Sequence, residues 1–137
     1  MVNTRFAIAA DAALLLAKNA AKVPDNHALV APTLLRSQIL AHLYSAVRSG
    51  DLDKREADGQ LDYLRGLRIR LLGDRVLQRY AWNIASQLDW ADTYCAEYIA
   101  VTQLQADALV TMDPDLAAAA QSFVQISSVE DLLTMIA

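Results

Sequence analysis

Three aspartates stand just past apolar runs. Asp11 follows Phe6–Ala10, while Asp113 and Asp115 flank Pro114 after Ala108-Leu109-Val110-Thr111-Met112. Short unbroken apolar runs fill strands buried on both faces. Acidic residues beyond the C-terminal ends of such strands are the parts of an open α/β active site. A helical pattern precedes the second run: Tyr94, Tyr98, Val101 and Leu104 recur at three- and four-residue steps, with Asp92 ahead of them and Cys95 among them. Charge is unevenly spread. From Tyr80 to Ala137 there are eight Asp and Glu and no Lys or Arg, whereas five of the twelve basic residues are Arg65, Arg68, Arg70, Arg75 and Arg79. Such a division describes a metal-binding edge beside a surface for an anionic ligand, or arginines that neutralise the other half of one fold. The arginines alone favour the second.

The elements that must position these residues can be read in order. Phe6–Ala10 is a strand, and Ala12–Ala21 the helix after it, closed by Val23-Pro24. Leu29-Val30-Ala31-Pro32 reads as a short connector. A helix over Thr33–Arg48 carries Leu35, Ile39, Leu43 and Val47 on one stripe, and Gly50 ends it. Asp53 and Glu56 form a capping box for a third helix to about Leu67. A strand falls within Leu67–Leu72, and Asp74 caps a helix over Arg75–Leu88. The helix from Asp92 leads into the strand Ala108–Met112. Pro114 suits the first position of a short helix, Asp115–Gln121. Phe123–Ile126 reads as a last strand, and Ser127 with Glu130 as the cap of a terminal helix. Strands alternating with helices make βαβ units and a mostly parallel sheet covered by helices, one α/β domain over residues 1–137.

Composition agrees. A chain of 137 residues, 55% hydrophobic and 20% charged, is a packed globule rather than a disordered segment, long enough to bury about two-thirds of its unfolded surface. The single cysteine excludes an internal disulfide framework and fits a reducing compartment. Met1–Ala17 imitates a signal peptide, but Asp11 lies where its apolar core would be. No apolar run approaches the roughly 18 residues of a membrane span. The expectation is a soluble, cytoplasmic protein with no membrane partner.

The pattern resembles a known family. A strand ending at Asp11, a helix opening Ala31-Pro32-Thr33-Leu34-Leu35-Arg36-Ser37, a helix start at Tyr94-Cys95-Ala96, and the strand end Leu109-Val110-Thr111-Met112-Asp113 together look like PIN domains, in particular the VapC-type toxins of toxin–antitoxin pairs. The resemblance covers nearly the whole chain and is strongest over Asp92–Leu116. It implies a three-layer α/β/α sandwich and an endoribonuclease that cuts RNA with Mg²⁺ or Mn²⁺. It also implies an antitoxin protein as partner and a homodimer. The metal in such a site supplies a water-derived nucleophile and neutralises the phosphoryl oxygens.

Carried over residue by residue, the family's four acidic positions fall on Asp11, Gln38, Cys95 and Asp113, so two of them bear no carboxylate here. Asp115 stands beside the fourth. Gln38 still offers an amide oxygen, whereas a neutral thiol is a poor ligand for a hard cation. Asp92, one helical turn before Cys95, is the substitute on the same face, or else the helix N-cap. Glu97 points elsewhere, about 200° round the helix. Asp113 before Pro114 also suits a cap. Asp11 has no such role, because a charge after a buried strand needs a partner or an ion. The expected set is thus Asp11, Asp113 and Asp92 in catalysis, with Asp11, Asp113 and Asp115 on the metal. The alternative is a PIN-fold protein that binds RNA or an antitoxin-like partner without cutting. Cys95 fits no nucleophile–base pair with His27 or His42 and reads as a half-buried structural thiol; His42 reads as a packed or surface side chain.

Overall fold

Phe6, Ala7 and Ile8 are buried on both sides because their strand lies in the middle of the sheet. The structure, a computed structural model, describes residues 4–134. In chain order its elements are β1 (Thr4–Ile8), α1 (Ala10–Asn19), β2 (His27–Pro32), α2 (Leu34–Arg48), α3 (Lys54–Gly66), β3 (Arg70–Leu72), α4 (Arg75–Gln87), α5 (Tyr94–Gln105), β4 (Ala108–Val110), α6 (Pro114–Ala120), β5 (Ile126–Ser127) and α7 (Val129–Leu133). The strands form one sheet in the order β3-β2-β1-β4-β5, and every pairing is parallel. β1 pairs with β2 from Thr4↔His27 to Ala7↔Val30, and with β4 from Phe6↔Ala108 to Ile8↔Val110.

Parallel strands need helical crossovers, and these cover the sheet. α5 lies against β1, β2 and β4, with α4 packed on it, while α1, α2 and α3 pack on one another and α2 reaches β2. The result is a three-layer α/β/α sandwich. Ile8, Leu16, Leu35, Leu43, Leu77, Ile99, Leu109 and Leu132 are fully buried between the layers, each worth about 1.5–3 kcal/mol of transfer free energy. Among the described residues no helix is long and apolar enough to cross a membrane.

Several expected boundaries move. The connector at Leu29–Pro32 is instead the last four residues of β2, an inner strand. Pro32 falls on its last residue, and the ladder continues past it through the Thr33 N–H, which donates to Leu72 O at 2.9 Å. β1 ends at Ile8, so Asp11 sits inside the first turn of α1. β4 ends at Val110, leaving Thr111 and Met112 beyond it. Phe123 and Val124 are not in a strand; their N–H groups donate to Ala120 O and close α6, and β5 begins only at Ile126. The last capping box is Ser128 with Asp131, one residue later than expected. The Asp53–Glu56 capping box, the Asp74 cap and Pro114 in the first turn of α6 stand as read, and Gly50 takes the left-handed conformation (φ +85°) that ends α2.

Candidate functional site

From β1 the chain moves outward to β2 and β3, then returns to lay β4 and β5 on the other side of β1. Strand order therefore reverses between β1 and β4. Successive connections diverge there, and the crevice at the C-terminal strand ends is where such sheets take ligands. Asp11 stands just past β1 and Thr111-Met112-Asp113 just past β4, so both flank that crevice.

Hydrogen bonds hold the two ends together. Thr111 Oγ1 donates to Asp11 Oδ2 at 3.0 Å, and the Met112 N–H donates to the same oxygen at 3.1 Å. The Ala12 N–H donates to Asp11 Oδ1 at 2.6 Å. Asp11 also lies at the positive end of α1, where a carboxylate is stabilised. Its charge therefore has protein partners, the first of the two alternatives, a partner or an ion, that the sequence left open. Thr111 Oγ1 in turn accepts from the Asp113 N–H at 3.1 Å, so one hydroxyl joins both strand ends. Asp113 is the N-cap of α6, its Oδ1 accepting from the N–H groups of Asp115 (2.9 Å) and Leu116 (3.4 Å).

Helix α5 brings the other positions. Tyr98 is buried, and its hydroxyl donates to Gln38 Oε1 at 2.5 Å, tying α5 to α2. Burial holds this phenol far above its ordinary range, with the charges of Glu97 and Asp11 adding to the effect. The Cys95 thiol is likewise pushed up, first by loss of water and then by Asp113, Asp92 and Asp11. It therefore stays protonated at neutral pH, a weak nucleophile and a weak ligand. Three carboxylates acting on one thiol put Asp11, Asp92, Cys95 and Asp113 in a shared electrostatic environment. Cys95 is exposed, not half-buried as expected.

Asp92 arrives by a different route from the one expected. The N-cap of α5 is Thr93, so Asp92 lies outside the helix and shares no helical face with Cys95. The loop carries it close instead, and its Oδ1 accepts from the Tyr94 N–H at 3.1 Å. Asp115 is exposed in the first turn of α6, and its charge is not among those acting on Cys95 or Tyr98. The structure thus gathers Asp11, Gln38, Asp92, Cys95 and Asp113 and leaves Asp115 at the margin. Two members escaped the sequence reading. Thr111 was hidden in an apolar run, where a lone hydroxyl was the available signal. Tyr98 counted only toward the helical pattern, although it lies one turn from Cys95.

Among the described residues no three His, Cys, Asp or Glu side chains form a group able to hold a metal ion. The donors present fit a cation that keeps most of its water, since Mg²⁺ commonly takes one or two carboxylates plus waters and a phosphate. Asp11 and Asp113 are the carboxylates that would hold such an ion; the Gln38 amide oxygen is already engaged by Tyr98. A cleft of about 650 Å³ opens beside Asp11 and Met112 and is lined by Lys18, His42 and Glu56. His42 is thus an exposed lining residue at that cleft.

One solved structure shares the whole architecture. The crystal structure of PAE2754 from Pyrobaculum aerophilum matches over 96% of this chain and 96% of its own, with a TM-score of 0.71 at 21% sequence identity. That likeness shows the fold. No family model matches the chain, and no curated protein matches it.

Proposed function

We propose that this chain is a VapC-like PIN-domain protein, and that the β1–β4 crevice is a weak divalent-cation site for hydrolysis of RNA phosphodiesters. The observation that carries the reading is the meeting of Asp11 and Asp113 at the point where strand order reverses, joined through Thr111. Asp11 and Asp113 would hold Mg²⁺ or Mn²⁺, with Asp92 adding negative potential. The ion would acidify water and neutralise charge on the phosphoryl oxygens. Thr111 and the Met112 N–H fix the direction of the Asp11 carboxylate. Gln38 and Cys95 contribute no negative charge, and Mg²⁺ gives up water reluctantly, so binding is weak and cutting slow.

A partner belongs to the same reading. Leu35, Ile39, Leu61, Leu64, Ile69 and Leu71 line a cavity of about 620 Å³ between α2, α3 and the edge strand β3. It suits an amphipathic antitoxin segment or a second copy of the chain. The single cysteine suits a cytoplasmic setting.

Labelled RNA incubated with Mn²⁺ and with EDTA, using the natural chain and Asp11→Asn, tests the site. Slow cleavage that requires Mn²⁺ and vanishes in Asp11→Asn is expected. Cleavage in EDTA, or undiminished in Asp11→Asn, would sink the assignment. The second reading, a PIN-fold protein that binds RNA or an antitoxin-like partner without cutting, is favoured by the engaged Gln38 oxygen and the protonated Cys95 thiol. Retained RNA binding with no cleavage at any Mn²⁺ concentration selects it.

A further inference from the structure

Helix α4 has a core side and a side with no explanation in the fold. Leu77, Ala81, Ile84 and Ala85 are its buried stripe. Roughly opposite them at 3.6 residues per turn, Arg75, Gln78, Arg79, Trp82 and Asn83 line a shallow concavity of about 380 Å³. Trp82 is 71% exposed, which leaves a large apolar surface in water. The helix contains no Asp or Glu, and among the described residues neither Arg75 nor Arg79 forms an ion pair. In a chain of net charge −4, this is a cationic strip with an aromatic plate set in it.

We infer that the outward face of α4 is a docking strip for single-stranded RNA, with one base stacked on Trp82 and neighbouring phosphates on Arg75 and Arg79. The inference rests on RNA being the polymer handled by this chain, as proposed above. Its own warrant is physical. Single strands are held by cationic tracks interleaved with aromatic plates, because every base has a stacking face and every linkage a negative charge. Arg75, Arg79 and Trp82 fall at i, i+4 and i+7, one line along the helix. Gln78 and Asn83 beside them offer donors and acceptors to base edges. An apolar protein partner would be poorly served, since the immediate surround of Trp82 is guanidinium and amide. Tyr80 and Val76, 40% and 43% exposed on the flank, make a second copy the main competitor.

The test is binding of a short labelled oligouridylate by fluorescence anisotropy in EDTA, so that no cutting is needed. Trp82→Ala should weaken binding about tenfold, within the range for loss of one stacked base, and Trp82→Phe should restore most of it. The double variant Arg75→Ala/Arg79→Ala should flatten the dependence of log affinity on log salt by about 1.4, at roughly 0.7 per phosphate released from a single strand. A base-paired RNA should bind more weakly and be indifferent to Trp82→Ala. Unchanged affinity in Trp82→Ala would overturn the strip, as would duplex binding as tight as single-strand binding. So would sedimentation showing that Trp82→Ala disperses a dimer while RNA affinity stays the same. A protein that binds RNA through Trp82 yet never cuts with Mn²⁺ upholds the strip and removes the nuclease. One that cuts but ignores Trp82→Ala removes the strip alone.

Discussion

The Thr111 hydroxyl donates to Asp11 and accepts from the amide of Asp113, so Thr111→Val removes a bridge of two hydrogen bonds at nearly constant volume. Hydrogen bonds to charged groups contribute about 1.5–3 kcal/mol; a loss of that order should appear in urea unfolding. Mn²⁺-dependent cleavage should fall as well, because Asp11 loses one of its fixed donors. A variant as stable as the natural chain would show that the bridge is not formed in solution. The uncharged positions make a second residue-level prediction. Gln38→Glu with Cys95→Asp should raise both Mn²⁺ affinity and cleavage, and Cys95→Asp alone should do less. A carboxylate at Cys95 meets the same two penalties that act on the thiol, first loss of water and then repulsion from Asp113, Asp92 and Asp11. Without metal the double variant should therefore melt below the natural chain. Mn²⁺ should raise its melting temperature, since an ion bound only by the folded state stabilises it. A melting temperature indifferent to Mn²⁺ would remove the metal from this site.

Among the elements, the close approach at Gly73 is sharply defined. A Cβ there would lie 2.7 Å from Thr33 Oγ1 and 2.9 Å from its Cγ2, just where β2 and β3 end beside one another. Gly73→Ala should destabilise by about 1–3 kcal/mol, the usual penalty of overpacking, and Thr33→Ser in the same chain should recover part of it by removing the crowded methyl. Thermal melts of the single and double variants check this. Elements with local chemical signatures were legible in the sequence: the Asp53–Glu56 box, the Asp74 cap, Pro114 opening α6, and Gly50 closing α2 each depend on neighbours within one turn. β2 was not, because Pro32 punctuates the chain locally and only pairing with β1 and β3 makes Leu29–Pro32 a strand. The site divides in the same way. Asp11 and Asp113 were readable from strand-end position. The tie through Thr111 and the Tyr98–Gln38 bond span 100 and 60 residues, and no local pattern announces either.

At the scale of the molecule, the cavity between α2, α3 and β3 leaves Leu40 (57%) and Tyr44 (63%) in solvent on the adjoining face of α2. Apolar surface of this kind marks association sites. Leu40→Asp should shift sedimentation toward the monomer with little change in unfolding free energy, because the side chain is exposed. A natural chain already monomeric at high concentration, with no protein partner, would exclude association through this face. The central position of β1 has a further consequence in time rather than space. β1 can pair with β2 early, but its other neighbour, β4, lies far along the chain, and such distant pairings form slowly. During synthesis from the N-terminus, Asp11 emerges without the Thr111 hydroxyl and Met112 amide that later hold it. The acidic edge therefore comes into being only once the last quarter of the chain has docked.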